Sequence, residues 1–496
     1  MVIPGMTSAG SETRKPSRNQ GKMQNNKERP PLDYIFHPRT IAIAGVSSDT
    51  QGGGMGKSYI NRFREVGFKG NIYPLNPSGG EVSGVKIYKS ILDVPEDVDF
   101  VISAIPARNT PQLMADCASK GVKLVHFFSA GFSELGNETG KRLETEIAEI
   151  ARKSNIRITG PNGMGIYCPS TGLSFDEGFS SKSGNVGFIA QSGRNSTYVI
   201  RDATTRGVYF SKVISYGNGV DLNESDFINY FREDPNTKII AAYIEGVKDG
   251  KRFFRVLREA ARVKPVIIMK GGTTEAGSRA AQSHTASIAG SEIIWNAALK
   301  QTGAIQASSM EELVDLLLLF NFLDKPDGNN ISILGFSGAV GIQATDSCGK
   351  AGLNVALAPP EMQAELKDIC AGDAGSIFKN PFDLWPKPGS RGVVAAIELI
   401  AGWEMTNLLM VHMQFDINAN VRPRVAKPYL DTLKRLEKDV RGKTVVILDF
   451  IITVDAKKLS HKVQTQFAKA GFPVFPTPSR AATALGKFVK YYKDRE

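Results

Sequence analysis

The sequence predicts an α/β protein built from three doubly wound domains with mainly parallel sheets. From Thr40 onward, short apolar runs alternate with amphipathic stretches of helical spacing, which is the pattern of successive βαβ units. These runs fall into three series along the chain. The 496 residues, 42% of them hydrophobic, are enough for about three separate cores.

The first series predicts a Rossmann-like domain over residues 32–167, and its strands are IAIAGVS, NIYPLNP, DFVISAIP, VKLVHFFSAGF and IRITGPN. Ligands bind at the carboxyl ends of the strands in such a sheet. Residues 1–31 hold six Lys or Arg against Glu12 and Glu28, so they are predicted to be a disordered basic tail.

Two further series follow. The strands NVGFIAQSG, YFSKVISYGN, KIIAAYIEGV and PVIIMKGG predict a second domain over 168–325. The segment LDKPDGNN is typical of a linker. After it, NISILGFSG, LNVALAP, TNLLMVHMQ, KTVVILDFI and GFPVFPTP predict a third domain over 326–496.

Composition excludes several classes of protein. A net charge of +11 favours phosphorylated ligands, but no block of basic and aromatic residues suits a nucleic-acid groove. Cys117, Cys168, Cys348 and Cys370 lack CxxC spacing, so no disulfide framework or metal site is predicted. The amino-terminal segment has no apolar signal region, and the apolar stretch around Leu313 is too short to cross a bilayer. We therefore expect a cytoplasmic protein without membrane contact.

The turn GVSSDTQGGGMGK stands where the first strand passes into a helix. Gly52, Gly53, Gly54 and Gly56 would let backbone amides approach a phosphate, with Lys57 as a counter-charge. The segment does not match the Walker A motif, because Gln51 stands where that motif requires glycine. The glycines also do not have the GxGxxG spacing of dinucleotide-binding turns, which disfavours a nicotinamide-dependent oxidoreductase. A glycine-rich turn without a ligand remains the alternative.

Other motifs lie at strand ends. Asn76-Pro77 and Pro106 each end a strand and could line a crevice or simply terminate pairing. GPNGMG, residues 160–165, is a ligand-facing loop or a domain junction. AQSG at Gln191–Gly193 and GFSGAVG at Gly335–Gly341 both lead from a strand into a helix whose amides could hold a phosphoryl group, unless the serines act only as helix caps.

The segment GSRAAQSHTASIAGSE surrounds His284 with small residues. Most such histidines are structural, but small neighbours also permit close approach to the imidazole. Covalent phosphoryl transfer is the chemistry that most needs this residue. Glu245, at the end of KIIAAYIEGV, is the best candidate for a carboxylate that fixes the imidazole tautomer, although it could also be an ordinary solvated residue.

Together these motifs resemble the α-subunit of ADP-forming acetyl-CoA synthetase, a relative of succinyl-CoA synthetase in the NDP-forming acyl-CoA synthetase superfamily. The resemblance extends from Leu32 onward and keeps the order of ten motifs. They are the glycine-rich turn, Asn76-Pro77, SAGFSE, GPNGMG, AQSG, GNGVD, YIEGV, SHTAS, GFSGA and NPFDL.

The resemblance implies a CoA-binding first domain and two flavodoxin-like domains of the succinyl-CoA synthetase type. It implies that His284 is phosphorylated and that Glu245 orients it. The implied CoA-binding residues are Gly45, Ser47, Gly54, Gly56, Lys57, Asn76, Pro77, Ile105 and Pro106. The implied phosphate-binding residues, on two facing helix ends, are Gln191, Ser192, Gly193, Arg194, Ser337, Gly338 and Ala339.

The resemblance also implies what the chain needs from elsewhere. The family uses an ATP-grasp module, and three sheets leave no residues to build one, so a separate β-subunit is expected, with an α2β2 assembly. Mg²⁺ with ADP or ATP would be bound mainly on that partner. The substrates would be CoA, phosphate and a small carboxylic acid, with acetate as the default. A non-catalytic CoA-binding or regulatory subunit is the alternative.

Three positions depart from the family pattern. Gly163 stands where GPNCLG usually has cysteine, Ala286 follows SHT in place of glycine, and Arg194 stands beside AQSG where a small residue is common. An added guanidinium could strengthen the binding of a phosphate or a carboxylate, so an altered acyl substrate is compatible with Arg194.

Overall fold

The structure is a computed structural model that describes residues 30–48, 54–277, 279, 292–335, 338–370, 375–384, 391–415, 426–436, 438–450 and 454–496. Three mainly parallel sheets of five, six and five strands are flanked by helices. The α/β prediction with three doubly wound sheets is confirmed. Within the described residues, no helix combines the length and the apolar composition needed to span a bilayer.

The first sheet has the strand order β2-β1-β5-β6-β7, and all of its pairings are parallel. The chain leaves β1 toward β2 on one side and reaches β5 on the other, which opens a crevice at the carboxyl end of β1. A small antiparallel hairpin, β3 with β4, lies beside it. The elements are α1 Asp33–Phe36, β1 Thr40–Ala44, α2 Met55–Val66, β2 Asn71–Leu75, β3 Gly80–Val82, β4 Val85–Ile87, β5 Phe100–Ser103, α3 Thr110–Lys120, β6 Leu124–Phe127, α4 Glu138–Ser154 and β7 Arg157–Thr159.

The second sheet has the order β13-β12-β11-β9-β10-β8. Its edge strand β8 runs antiparallel to β10 and lies before residue 168, so the chain enters the second sheet ahead of the predicted domain boundary. The elements are β8 Gly165–Tyr167, β9 Val186–Ala190, α5 Gly193–Thr205, β10 Phe210–Ser215, α6 Glu224–Glu233, β11 Ile239–Ile244, α7 Gly250–Val263, β12 Val266–Lys270, α8 Glu292–Thr302, β13 Ile305–Ala307 and α9 Met310–Phe322.

The third sheet has the order β15-β14-β16-β17-β18, with every pairing parallel. Its elements are β14 Ile331–Gly335, α10 Gly338–Lys350, α11 Pro360–Cys370, β15 Phe382–Asp383, α12 Arg391–Gly402, β16 Leu408–Phe415, α13 Ala426–Arg435, α14 Lys438–Arg441, β17 Thr444–Phe450, α15 Val454–Lys469, β18 Val474–Phe475 and α16 Pro478–Lys493.

One predicted strand of the third series is wrong. LNVALAP contributes an isolated bridge from Asn354 to Asn330 rather than a strand. The carboxamide of Asn380 explains this, because it bonds to the edge of β14 itself: the Ile333 N–H donates to its Oδ1 (3.0 Å) and its Nδ2 donates to the Ile331 carbonyl (2.9 Å). A side chain therefore satisfies backbone groups that a neighbouring strand would otherwise pair.

The second and third sheets share a core through the last helix. Phe320 of α9 packs edge-on against Phe488 of α16, with ring centroids 4.9 Å apart. Asp315, also in α9, is 2% exposed and accepts bonds from Arg206 (2.6 Å) and from Arg480 of α16 (2.7 Å). Removing one partner of such a buried pair costs about 3–5 kcal/mol, so this contact fixes how α16 sits on α9.

Three of the motifs form the joint between the first and second sheets. Asn218 of GNGVD donates from Nδ2 to Glu134 of SAGFSE (2.7 Å), and its N–H donates to the Pro161 carbonyl of GPNGMG (2.9 Å). Asp221 binds Arg157 through both carboxylate oxygens, at 2.8 and 2.9 Å. Burial alone would raise the pKa of Glu134, but hydrogen bonds led by the one from Asn218 hold that pKa below its usual value. These motifs position the two sheets relative to each other.

Candidate active site

Backbone atoms rather than side chains shape the turn after β1. Gly45 has a φ of +91°, and a Cβ there would lie 2.6 Å from the Ala104 carbonyl oxygen. A Cβ at Gly56 would lie 2.7 Å from the Gly45 carbonyl oxygen. Both approaches are to backbone atoms that cannot swing away, so the first turn of α2 packs directly on the end of β1. The amides of that turn can then face an anion.

The other predicted CoA-binding residues surround this turn. The Asn76 side chain donates from Nδ2 to the Val46 carbonyl (3.0 Å), and Ile105 lies beside Gly45. Ser47 and Gly54 adjoin each other, since a Cβ at Gly54 would lie 3.4 Å from the Ser47 Oγ. Lys57 is half-buried in the first turn of α2, whereas Pro77 and Pro106 are exposed at the ends of their strands. The structure thus gathers this set at the ends of β1, β2 and β5.

The carboxamide of Gln191 ties together two strand ends of the second sheet. Its Oε1 accepts the backbone N–H groups of Glu245 and, at 2.9 Å, of Gly246, while the backbone N–H of Gln191 donates to the Tyr243 carbonyl at 3.1 Å. Gly271 follows β12 next to the same point, because a Cβ there would lie 3.3 Å from the Glu245 Cγ. The ends of β9, β11 and β12 therefore converge on Glu245.

Glu245 is 8% exposed and is surrounded by groups that bind anions. The Tyr243 hydroxyl hydrogen-bonds its carboxylate, and burial followed by this charge raises the pKa of Tyr243. The Lys270 ammonium donates to the Glu245 carbonyl (2.7 Å) and to the Gly271 carbonyl. Burial lowers the pKa of Lys270, and the nearby carboxylate opposes that change. A carboxylate held in this way can accept a hydrogen bond from an imidazole and keep it in one orientation.

The amino end of α5 connects this region with the glycine turn. Ser192 caps the helix by accepting the Asn195 N–H at 3.4 Å, as expected from ordinary capping. Met164 packs so tightly on Gly193 that a Cβ at Gly193 would lie 2.1 Å from the Met164 Cγ. The Met164 carbonyl in turn accepts the Tyr59 hydroxyl of α2 at 2.6 Å. Arg194 is exposed on the next position of α5.

The Gly163 departure also has a local explanation. A Cβ at this position would lie 2.6 Å from the Ser215 carbonyl oxygen and 3.3 Å from Cε1 of the buried His126. The loop therefore runs too close to β10 for any side chain at Gly163.

In the third domain, Gly338 and Ala339 begin α10 at the carboxyl end of β14. A Cβ at Gly338 would lie 3.5 Å from an Asp383 carboxylate oxygen, and Gly335 lies against the buried His412. The sequence predicts that the amino ends of α5 and α10 face each other, and this stays a prediction. His284, Ser337 and Ala286 lie outside the described residues, as do Gly52 and Gly53.

Two family models match the chain. The CoA-binding domain model matches residues 39–169, which contain the glycine turn, and the succinyl-CoA ligase-like flavodoxin domain model matches residues 183–320, which contain Gln191 and Glu245. The α-subunit of acetate–CoA ligase (ADP-forming) I from Pyrococcus furiosus is 34% identical over 471 residues, which cover 93% of this chain and 98% of that subunit. The chain belongs to the ADP-forming acid–CoA ligase family.

Other members extend the comparison. The acetate–CoA ligase (ADP-forming) of Methanocaldococcus jannaschii is 36% identical over 462 residues, but the chain spans only 63% of its length. Among solved structures, the Ca. Korarchaeum cryptofilum acetyl-coenzyme A synthetase 1 in complex with phosphate and ADP superposes with a TM-score of 0.80 at 30% identity, covering 94% of this chain and 97% of that one.

This ADP-forming acid–CoA ligase chain thus corresponds to an α-subunit of enzymes that form carbon–sulfur bonds, and it contains their CoA-binding domain. The family occurs both as separate subunits and as longer single chains. The predicted family, enzyme class and use of CoA are confirmed.

Sequence reasoning missed several residues of the site. Tyr59, Met164, Tyr243 and Lys270 bind or pack against predicted residues, yet none was assigned a role. Two of them lie inside motifs that the sequence analysis names: Met164 is in GPNGMG and Tyr243 is in YIEGV. The contacts of Tyr59, Met164 and Lys270 join different elements, so spacing along the chain carried no signal for them, whereas Tyr243 contacts Glu245 two residues farther along the same strand end.

Proposed function

We propose that this chain activates a carboxylic acid as its CoA thioester through an acyl phosphate, with His284 carrying the phosphoryl group between the acyl site and a nucleotide. The arrangement around Glu245 is the observation that supports this best. A carboxylate at the meeting point of three strand ends, with Tyr243 and Lys270 around it, suits the task of holding one tautomer of an imidazole.

In the direction of acid activation, His284 would accept the terminal phosphoryl group of ATP and then pass it to the carboxylate of the acid, giving an acyl phosphate and free His284. The second half of the reaction replaces phosphate by sulfur at the acyl carbon. CoA supplies the thiol for that exchange, and the reverse sequence would form ATP. Splitting the transfer in two keeps each step a single displacement.

The residues of this chain would have distinct tasks in those steps. Glu245 would accept the N–H on the ring nitrogen that does not carry phosphate, which leaves the other nitrogen nucleophilic. The amides at the start of α5 and α10 would face the phosphoryl oxygens. The glycine turn after β1 suits the phosphates of CoA, because Gly45 and Gly56 let the first turn of α2 pack directly on the end of β1, where its amides can face an anion.

The nucleotide would be bound by a separate ATP-grasp β-subunit in a cytoplasmic α2β2 assembly. The α-subunit name and the 98% coverage of the Pyrococcus furiosus relative support a separate partner. Mg²⁺ would accompany ADP or ATP on that partner, and among the described residues no cluster of His, Cys, Asp or Glu could hold a metal ion.

Labelling tests the central step. The chain is mixed with an ATP-grasp β-subunit, γ-labelled ATP and magnesium, and acid-labile, base-stable label is measured on wild type, His284→Ala and the exposed control His461→Ala. We expect label on wild type and on His461→Ala but not on His284→Ala. Equal label on all three proteins would contradict the proposal. So would the absence of label on wild type when the same β-subunit labels its own α-subunit. Either result would leave a CoA-binding subunit as the function.

A further inference from the structure

A second buried carboxyl group lies at the same edge of the second sheet as Glu245 and has no role in the steps above. Glu224, in the first turn of α6, is 2% exposed. Its Oε2 accepts the hydroxyl of Tyr216 at 3.2 Å, and the Tyr216 side chain is fully buried. Because a buried carboxylate is costly unless it is paired, the protonation state of this group matters.

Tyr216 lies between the two carboxyl groups. It directly follows β10, and its N–H donates to the carbonyl of Ala190 at the end of β9 (3.0 Å). Strands β11, β9 and β10 are consecutive in the sheet, so Glu245, Gln191 and Tyr216 stand at three neighbouring strand ends. Burial and the charges of Glu224 and Glu245 raise the pKa of Tyr216. The Tyr216 hydroxyl is therefore within electrostatic reach of both carboxyl groups.

The surroundings of Glu224 favour its protonated form. Burial raises the pKa of Glu224 to about 7, and hydrogen bonds from its own backbone and from Tyr216 oppose that change only in part. Lys248 also opposes it, but the Lys248 ammonium donates to a backbone carbonyl of the loop before α6 (3.1 Å). Asp226 on the same helix adds a negative charge, and its own partner is Arg252 of α7. Two carboxyl groups around one buried hydroxyl resist double ionisation, so one keeps a proton while the other is charged.

We propose that Glu224 is a positioning residue of the Glu245 site, which holds the proton of this carboxyl pair and thereby makes the phosphorylation of His284 depend on pH. The inference rests on the proposed function. While Glu224 is neutral, the carboxylate charge near the Tyr216 hydroxyl is that of Glu245, which can accept the imidazole N–H. Once Glu224 ionises, its charge opposes the arrival of the negative phosphoryl group. Transfer to His284 then takes up a proton from solvent at Glu224.

Labelling at equilibrium tests this inference. The chain and the β-subunit are held at a fixed ratio of γ-labelled ATP to ADP, and the labelled fraction of His284 is measured from about pH 6.5 to about pH 8. Glu224→Gln keeps the side chain uncharged at the same size, and Glu233→Gln makes the same change at the exposed end of α6. We expect the labelled fraction of wild type and of Glu233→Gln to fall with rising pH by at least about threefold more than that of Glu224→Gln. Equal pH profiles for all three proteins would overturn the inference.

A measurement without turnover separates this inference from the proposed function. Infrared difference spectra record the loss of a protonated carboxyl band as the pH rises. We expect this band in wild type, with a midpoint near pH 7, and not in Glu224→Gln. In Glu245→Gln the midpoint should move to lower pH, because a nearby negative charge is removed. That pattern without label on any protein would refute the proposed function and still support the pairing of the two carboxyl groups. A midpoint that Glu245→Gln leaves unchanged would overturn the inference even if His284 is labelled.

Discussion

The glycine turn after β1 and the Glu245 site are both formed at the carboxyl ends of parallel strands, but they are made from different atoms. At Gly45 and Gly56 the backbone itself forms the surface, and any Cβ would collide with a carbonyl. At Glu245 the site consists of side chains: Tyr243 hydrogen-bonds the carboxylate, whereas Gln191 and Lys270 bind the Glu245 backbone. Ligand binding at the glycine turn should therefore be lost when a substitution adds a side chain. Activity at the Glu245 site should be lost when a substitution changes the functional group but keeps the size of the side chain.

Glu245→Gln should have the largest effect, because it keeps the shape of the side chain and removes its charge. The amide cannot stabilise an imidazole that becomes positively charged as it is phosphorylated, so we expect the rate of His284 labelling to fall by at least about 100-fold. The rate should be measured by rapid quench with labelled ATP and the β-subunit. CoA affinity, measured by calorimetry on the same sample, should stay within about twofold because the turn after β1 is untouched.

Glu233→Gln is the matched control, since it makes the same change on the exposed end of α6. Its labelling rate should equal that of wild type. If Glu245→Gln labelled His284 at the rate of the control, the carboxylate would have no part in orienting the imidazole, and the contrast with the glycine turn would fail.

Gly45→Ala should have the next largest effect, and it should be on CoA. The methyl group would meet the Ala104 carbonyl at 2.6 Å in a backbone with φ of +91°, so the turn after β1 and the end of β5 must move apart. We expect CoA to bind about 30-fold more weakly, which corresponds to about 2 kcal/mol, and the labelling of His284 by ATP to change much less.

Gly67→Ala gives the matched control for backbone strain. Gly67 has a nearly equal φ of +93° at the end of α2, but a Cβ there meets nothing within 4 Å. Its strain should cost about 1–2 kcal/mol of stability without weakening CoA binding. If both variants bound CoA equally weakly, backbone strain would explain the loss of CoA affinity in Gly45→Ala. The collision with the Ala104 carbonyl would then have no part in it.

The two regions also differ in how far the sequence predicts them. Strand-to-helix punctuation predicted Gly54 and Gly56 at the turn after β1, where both lie, because glycines at a βα turn have a local steric cause. Gly45 was predicted only from the family resemblance. Glu245 was found for a similar reason, at the end of a buried strand. What spacing along the chain could not predict was pairing between distant elements, such as Met164 against Gly193 or Lys270 beside Glu245.

The same limit applies to the fold. Periodicity predicted three parallel sheets, yet LNVALAP is not a strand because the Asn380 carboxamide bonds to the edge of β14. Likewise, β8 joins the second sheet although its residues directly follow the first. Each of these depends on a contact that is long-range in sequence, and hydrophobic periodicity reports only which face of an element is buried.

The smallest expected effect lies at the joint between the two regions, where His126 of β6 is buried beneath Gly163 and Gly165. Burial lowers the pKa of His126 to about 4, against an ordinary value of about 6.5, although the nearby backbone of Gly163 and Thr159 opposes the change. Between these values the unfolded chain binds a proton that the folded chain does not. Stability should therefore be complete above about pH 6.5 and decrease as the pH falls toward 4.

From pH 7 to pH 5 this linkage amounts to about 2 kcal/mol of unfolding free energy. His126→Gln, which cannot be protonated, should lose that part of the pH dependence in urea unfolding at the two pH values, whereas the exposed control His461→Gln should keep it. Because the glycine turn and Glu245 lie on opposite sides of this joint, wild type should also lose CoA affinity and His284 labelling together as the pH falls through this range. An unchanged pH dependence in His126→Gln would mean that water reaches the imidazole in the folded chain, and the joint would then not couple the two regions through this residue.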